Sequence, residues 1–277
     1  MDYTVKSFKI KSNWFDENGK FSKMGSDTLN LYFSLFKFRL HGQSNEYTFL
    51  TSIYHLRKET GYSKSAIFLH LKSLIKLKII EINNVKRWDR FLSSNNSIPE
   101  KNILEIVAID APLIDKITDE SGNTTDKPKT EDDYYISVET ALLNLYNARG
   151  LSHKYYPIYC LIKKLQNGSV EKKAFMSIEK MALWIGYNKD YTNKLVHNMN
   201  RSYVLYSDYR DNGKGGKYFE HHLMSSTKEE GFLKAFKSDI DKNIKKWDKK
   251  KEKSIQSDPF ENEYESSYIN EVIDFPI

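Results

Sequence analysis

Ser52-Ile53-Tyr54-His55-Leu56-Arg57-Lys58-Glu59-Thr60-Gly61-Tyr62-Ser63-Lys64 and Ser177-Ile178-Glu179-Lys180-Met181-Ala182-Leu183-Trp184-Ile185-Gly186-Tyr187-Asn188-Lys189 are the two stretches whose reading decides the fold. They lie 125 residues apart, and Ser, Ile, Gly, Tyr and Lys recur at matching places. Apolar positions keep the register beyond them: Leu56 with Met181, Leu71 with Val196, Leu74 with Met199, Ile80 with Leu205. Only five of the 23 positions from Ser52 to Leu74 are identical. The agreement of core positions, turn and cap without a gap is what suggests an internal repeat.

Working outward, each copy reads as the same run of elements. A helix with apolar residues at helical spacing covers about 28–40 or 153–166, with Asp27 or Ser152 as its cap. A short extended piece follows at 47–51 or 174–176, then a helix over 52–60 or 177–185. Gly61 or Gly186 ends that helix, as a left-handed C-cap requires. A third helix starts after Ser63 or Asn188, both good caps. Strand-like segments follow at 79–85 and 103–109, and at 204–209 and 218–223. The second pair is joined by a loop containing Asn212-Gly213, a hairpin signal.

Helix, strand, helix, turn, helix, hairpin is the order of a winged helix-turn-helix. Residues 56–80 resemble the helix-turn-helix of winged-helix proteins, and the second copy resembles it less closely. The fold expected is mainly α with small β-hairpins, of α+β class, as two tandem winged helix-turn-helix units related by an internal duplication. The expected divisions are an N-terminal arm (1–24), a first unit (25–118), a linker (119–133), a second unit (134–226), a basic amphipathic helix (227–253) and an acidic disordered tail (254–277). Residues 119–133 are polar, mostly acidic and contain Gly and Pro, which reads as a linker. In the helix near the C-terminus, Phe232, Phe236, Ile240, Ile244 and Trp247 form an apolar stripe expected to pack on the second unit.

Charge narrows the function. The chain of 277 residues has a formal net charge of +6. Residues 254–277 hold six acids and no Lys or Arg, so the remainder carries +12. A body this basic points to a polyanion, most often nucleic acid. Mean hydropathy is −0.64, and no run of 18 apolar residues could cross a membrane. The opening residues include no apolar stretch suited to a signal peptide, and the single cysteine, Cys160, excludes an internal disulfide. A cytoplasmic location without membrane contact is expected.

The third helices differ in what they can touch. In the second copy the inward face reads as Thr192, Val196 and Met199. Its outward face is Lys189, Asn193, Lys194, His197 and Arg201, suited to phosphates and base edges. The following wing adds Arg210, Lys214 and Lys217. In the first copy Ile67, Leu71 and Leu74 point inward, while Lys64, Ser65 and Lys72 offer DNA contacts and Arg87 follows in the wing. Phe68 and Leu69 on that outward side fit a protein interface better than base readout. The second unit is expected to read DNA and the first to hold a partner or a second protomer.

That asymmetry resembles the tandem winged-helix replication initiators of plasmids, in architecture and length rather than in any diagnostic motif. The resemblance implies one unit that dimerises and one that reads repeated origin sites. Sequence-specific double-stranded DNA binding is therefore expected, in replication initiation on a plasmid or phage. The alternatives are a transcription regulator at a promoter operator and a winged-helix protein-interaction adaptor. Expected partners are double-stranded DNA, a second protomer, and replication or transcription machinery reached through the acidic tail. No enzyme activity, cofactor or metal is expected. No phosphate loop or His-Glu-x-x-His occurs. His221 and His222 are adjacent, so on a strand they face opposite sides. Asp239 and Asp241 diverge on a helix, and Cys160 sits in an apolar helix.

Overall fold

A computed structural model describes residues 6–40, 47–85, 99–119, 121–169, 173–211, 217–225 and 227–257. The chain opens with strand β1 (Ser7–Lys11), a 3-10 turn (Ser12–Phe15) and helices α1 (Lys20–Met24) and α2 (Ser26–Leu35). Strand β2 (Thr48–Thr51), helices α3 (Ile53–Thr60) and α4 (Lys64–Lys76), and strands β3 (Ile80–Ile82) and β4 (Leu104–Ala108) follow. Strands β5 (Ile114–Thr118), β6 (Thr124–Pro128) and β7 (Tyr135–Glu139) lead to helix α5 (Thr140–Ala148), a 3-10 turn (His153–Tyr155) and helix α6 (Tyr156–Asn167). Strand β8 (Ala174–Phe175), helices α7 (Ile178–Ile185) and α8 (Lys189–Arg201), strands β9 (Leu205–Asp211) and β10 (Lys217–Leu223), and helix α9 (Glu229–Ser257) complete it. The strands form four antiparallel sheets, ordered β1-β7, β2-β4-β3, β5-β6 and β8-β10-β9.

The fold class differs from the sequence expectation. The described residues are 53% helical and 21% strand, a mixed composition with several small sheets that is consistent with the α+β class but not with a mainly α chain. No clear duplication into two tandem winged helix-turn-helix units is shown either. The core gives the physical reason, because one contiguous apolar cluster runs through both halves of the chain. Strand β1 lies at one end of the sequence yet pairs with β7, from Ser7 opposite Glu139 to Lys11 opposite Tyr135. Its alternation places Phe8 and Ile10 inward. Phe8 stacks on Phe36 at 4.1 Å and meets Phe33 edge-on at 5.0 Å, and Phe33 stacks on Tyr156 of α6 at 5.6 Å. Helix α2 buries Leu29, Leu31, Tyr32, Phe33 and Leu35, and α6 buries Tyr156 to Ile162 without a break. Stretches buried on every side in this way lie inside a domain, not on a surface.

Two further segments join the framework. Within residues 1–24, β1 is an added strand, and Trp14, Phe15 and Phe21 are core. Trp14 donates its Nε1–H to Asp110 at 2.8 Å, and Lys20 reaches the same carboxylate at 2.5 Å. The stretch expected as a linker contributes β6 and the turn of the β5–β6 hairpin. Asp119 Oδ1 closes that turn by accepting the backbone N–H groups of Ser121 and Asn123 at 2.9 and 2.8 Å. Asp133 is buried and accepts from the Leu113 N–H and the Thr130 hydroxyl. Those bonds, the backbone one foremost, hold its carboxyl below the usual carboxylate range.

The local signals around the two turns have identifiable partners. Ser52 Oγ accepts from His55 N–H, Ser63 Oγ from Ala66 N–H, and Ser177 Oγ from Lys180 N–H, each at 3.2 Å. Asn188 Oδ1 accepts from both Asp190 and Tyr191. Gly61 and Gly186 have φ of +74° and +69°. A Cβ at position 61 would meet open space, whereas one at 186 would lie 3.2 Å from the Ser22 carbonyl of α1. Both Gly61→Ala and Gly186→Ala incur left-handed strain of about 1–2 kcal/mol. Urea unfolding is expected to show the larger loss for Gly186→Ala. Equal losses would contradict the close approach of α1 to the end of α7.

Candidate nucleic-acid interface

Helix α8 presents the densest set of expected DNA-contacting residues. Its inner side packs Thr192, Leu195, Val196 and Met199 into the core. Asn200, also buried, ties the helix to β9: its side-chain amide donates to the Val196 carbonyl, and its Oδ1 accepts from the Ser207 N–H at 3.0 Å. The outer side at the N-terminal half is open. Lys189, Asp190, Tyr191 and Lys194 are exposed and Asn193 is half-buried. Lys189 lies 2.6 Å from Glu179, with both side chains well exposed. Such a pair contributes little to stability, so Lys189 can exchange that carboxylate for a phosphate. Asp190 stands in the first turn, where the helix dipole favours an acid.

The C-terminal half of the same face is covered. The His197 ring stacks on Trp247 of α9 at 3.9 Å and an interplanar angle of 10°. Burial lowers the His197 pKa, with Arg201 adding to the effect, so the ring is neutral near pH 7. Arg201 forms an ion pair with Asp248 of α9. The expectation that His197 faces DNA is therefore corrected, because Trp247 of α9 lies over its ring, whereas Arg201 stays exposed beside Asp248. The stripe Phe232, Phe236, Ile240, Ile244 and Trp247 signalled that α9 packs, but not where its end would land. Phe236 stacks on Tyr206 at 4.7 Å, Asn243 donates to the Ser207 carbonyl, and the Tyr203 hydroxyl donates to Asp241 at 2.7 Å.

Helix α4 corrects a second expectation. It buries Ile67, Phe68, Leu71 and Leu74, leaving Phe68 only 6% exposed. Phe68 is core rather than interface. Adjacent helical residues point about 100° apart, so burying Phe68 turns Leu69 outward at 64% exposure. Leu69 stands between exposed Ser65 and Lys72, with Lys64 half-buried at the helix start. A single exposed leucine is ordinary and does not by itself make a protein interface. Arg210 and Lys217 occupy β9 and β10, paired with Tyr218 and Asp211. Arg87 and Lys214 lie outside the described residues, as does the acidic tail from residue 258.

The remaining polar groups serve the framework. His153 Nε2 lies 2.5 Å from Asp27, whose carboxyl also accepts the Tyr62 hydroxyl at 3.2 Å. The His153 bond is the main reason the Asp27 pKa is lowered. Asp27 thus joins α2 to the turn after α3 and to the segment before α6, while Gly25 is the residue that caps α2. Cys160 is fully buried, which pushes its thiol pKa up. Among the described residues, no group of three or more His, Cys, Asp or Glu could hold a metal ion, and no helix is long and apolar enough to cross a membrane. The chain matches no protein family, no curated protein and no solved structure with which it was compared.

His221 shows how firmly the sheet beneath α8 is held. Its ring is fully buried, with Nε2 3.0 Å from the Met176 carbonyl and Nδ1 2.8 Å from Ser207 Oγ. A carbonyl can only accept, so Nε2 carries the proton and Nδ1 accepts from the serine. Burial lowers the His221 pKa from 6.5 to about 4. Between those values the unfolded chain binds more protons, so stability is complete above pH 6.5 and falls as the pH drops toward 4. The full loss is about 3 kcal/mol. His70 and His197, with pKa values also lowered by burial, act in the same sense. In urea unfolding at about pH 7.5 and about pH 4.5, His221→Gln is expected to be less stable at the higher pH yet to lose less on acidification. An identical acid loss in both proteins would contradict the buried neutral ring.

Proposed function

We propose that this chain is a sequence-specific double-stranded DNA-binding protein that reads base edges through the open first half of α8. The observation that carries the proposal is the placement of exposed Lys189 and Lys194, with half-buried Asn193 beside them, on the N-terminal turns of a packed, side-chain-capped helix. Residues at that end of a helix laid in the major groove are the ones that meet base edges. Asn193 matches the donor and acceptor pair of adenine, and Lys194 the two acceptors of guanine. Lys189 suits a phosphate, which positions the protein without specifying sequence. The +12 carried outside the last 24 residues supplies long-range attraction to the polyanion. The proposed activity is binding without catalysis.

Capture of genomic fragments by the full chain near physiological salt tests this reading. Selective binding is expected, and Asn193→Ala should cost about 1–3 kcal/mol on the captured site while changing binding to unrelated duplex little. Lys189→Ala should weaken both equally and lower the slope of log affinity against log salt by about 0.9. Repeats in the captured DNA would support replication initiation on a plasmid or phage, and a promoter operator would support transcription regulation. Weak, sequence-blind binding that Asn193→Ala leaves untouched would overturn the proposal.

A further inference from the structure

Helix α9 has two unlike sides. Phe232, Ile240 and Asn243 are buried, and Trp247 lies against His197, which defines its inner side. At 100° per residue, Lys234, Lys242, Lys245 and Lys249 fall together on the opposite side, and all are exposed. The row extends roughly 22 Å along the helix. Exposed Lys246 lies at its margin. The acids of the same stretch each have a partner, one of them Lys242 of the row itself. Asp241 takes the Tyr203 hydroxyl and Lys237, Asp248 takes Arg201, and Asp239 takes Lys242. No carboxylate among the described residues makes a salt bridge to Lys234, Lys245, Lys246 or Lys249.

The row includes like-charge neighbours that Asp239 and Asp241 offset only in part. Lys242 and Lys246, and Lys245 and Lys249, are like charges at i,i+4, which destabilise a helix by a few tenths of a kcal/mol per pair. Packing does not require them, because the inner side alone holds α9 in place. Phosphates spaced about 3.4 Å apart along the axis of each strand would turn that repulsion into attraction.

We infer that the lysine row of α9 is a second contact with the DNA backbone, fixed to the last turns of α8 by the Trp247–His197 stack and the Arg201–Asp248 pair. The inference rests on the DNA-binding reading above. It assigns α9 affinity without sequence preference, since phosphate contacts position and base contacts specify. His197 and Arg201 become positioning residues, acting through α9.

The test compares full-length wild type with a Lys245→Gln, Lys246→Gln, Lys249→Gln variant on the captured duplex and on a mixed-sequence duplex, across a salt series. The variant is expected to lower the salt slope by about 2–3 and to weaken both duplexes by the same factor, leaving their ratio unchanged. An unchanged slope and affinity, in a protein whose Asn193→Ala form loses selectivity, would overturn the inference and leave the DNA-binding reading standing. Absence of binding by wild type to either duplex would overturn both. Trp247→Ala adds a second readout that a purely structural role would not produce. Its salt slope should fall with affinity on both duplexes, whereas tighter binding would mean that α9 shields α8 and would refute the inference.

Discussion

The pairing of β1 with β7, sealed by Phe8, holds the two halves of the chain to one core. Phe8 lies between Phe36 and Phe33, and Phe33 stacks on Tyr156. Each close aromatic pair contributes about 0.5–1.5 kcal/mol beyond the burial of its surface. The contact joins residues more than a hundred positions apart, so no local turn can set it. The buried stretches of α2 and α6, Leu31 to Leu35 and Tyr156 to Ile162, lie inside this closure. The platforms that carry α4 and α8 are consequently parts of one body, not beads on a linker.

On that body, α8 divides into two halves with different work. Its first turns are capped by Asn188, fastened below by Thr192, Leu195 and Val196, and open above. Its last turns lie under the end of α9, with His197 against Trp247 and Arg201 against Asp248. Direct readout is thus confined to a short segment that presents Asn193 and Lys194. A short reading segment gives little affinity at physiological salt, and phosphate contacts usually supply the difference. The lysine row of α9 meets that need from an element already bound to α8. Division of labour between base and backbone contacts then follows from one packing event.

What the sequence reveals is what nearby residues decide. Ser63 and Asn188 as caps, Gly61 and Gly186 as left-handed turns, and the inward positions of α4 and α8 depend on neighbours within a few residues. The repeat of those local signals suggested a duplication of whole units, but similar caps and turns describe a helix–turn–helix piece, not the body around it. The β1–β7 pairing was beyond such reasoning because its partner is distant. The β5–β6 hairpin was hidden because strands exposed on both faces have the composition of a linker. Phe68 was misplaced because the apolar face of α4 is wider than the three residues assigned to it. Of the candidate site, Lys189 and Lys194 are exposed and Asn193 is half-buried. His197 is half-buried too, since the landing place of Trp247 decides its exposure, while Arg201 stays exposed with Asp248 beside it.

Lysine-reactivity mapping of the full chain, with and without its captured duplex, tests the central claim most directly. Acylation of Lys189, Lys194, Lys245 and Lys249 should be suppressed together by bound DNA, while Lys58 on α3 and Lys127 on the β5–β6 hairpin stay reactive. If those four remain reactive in the complex, the outer sides of α8 and α9 are not the DNA-binding surface, and the account fails.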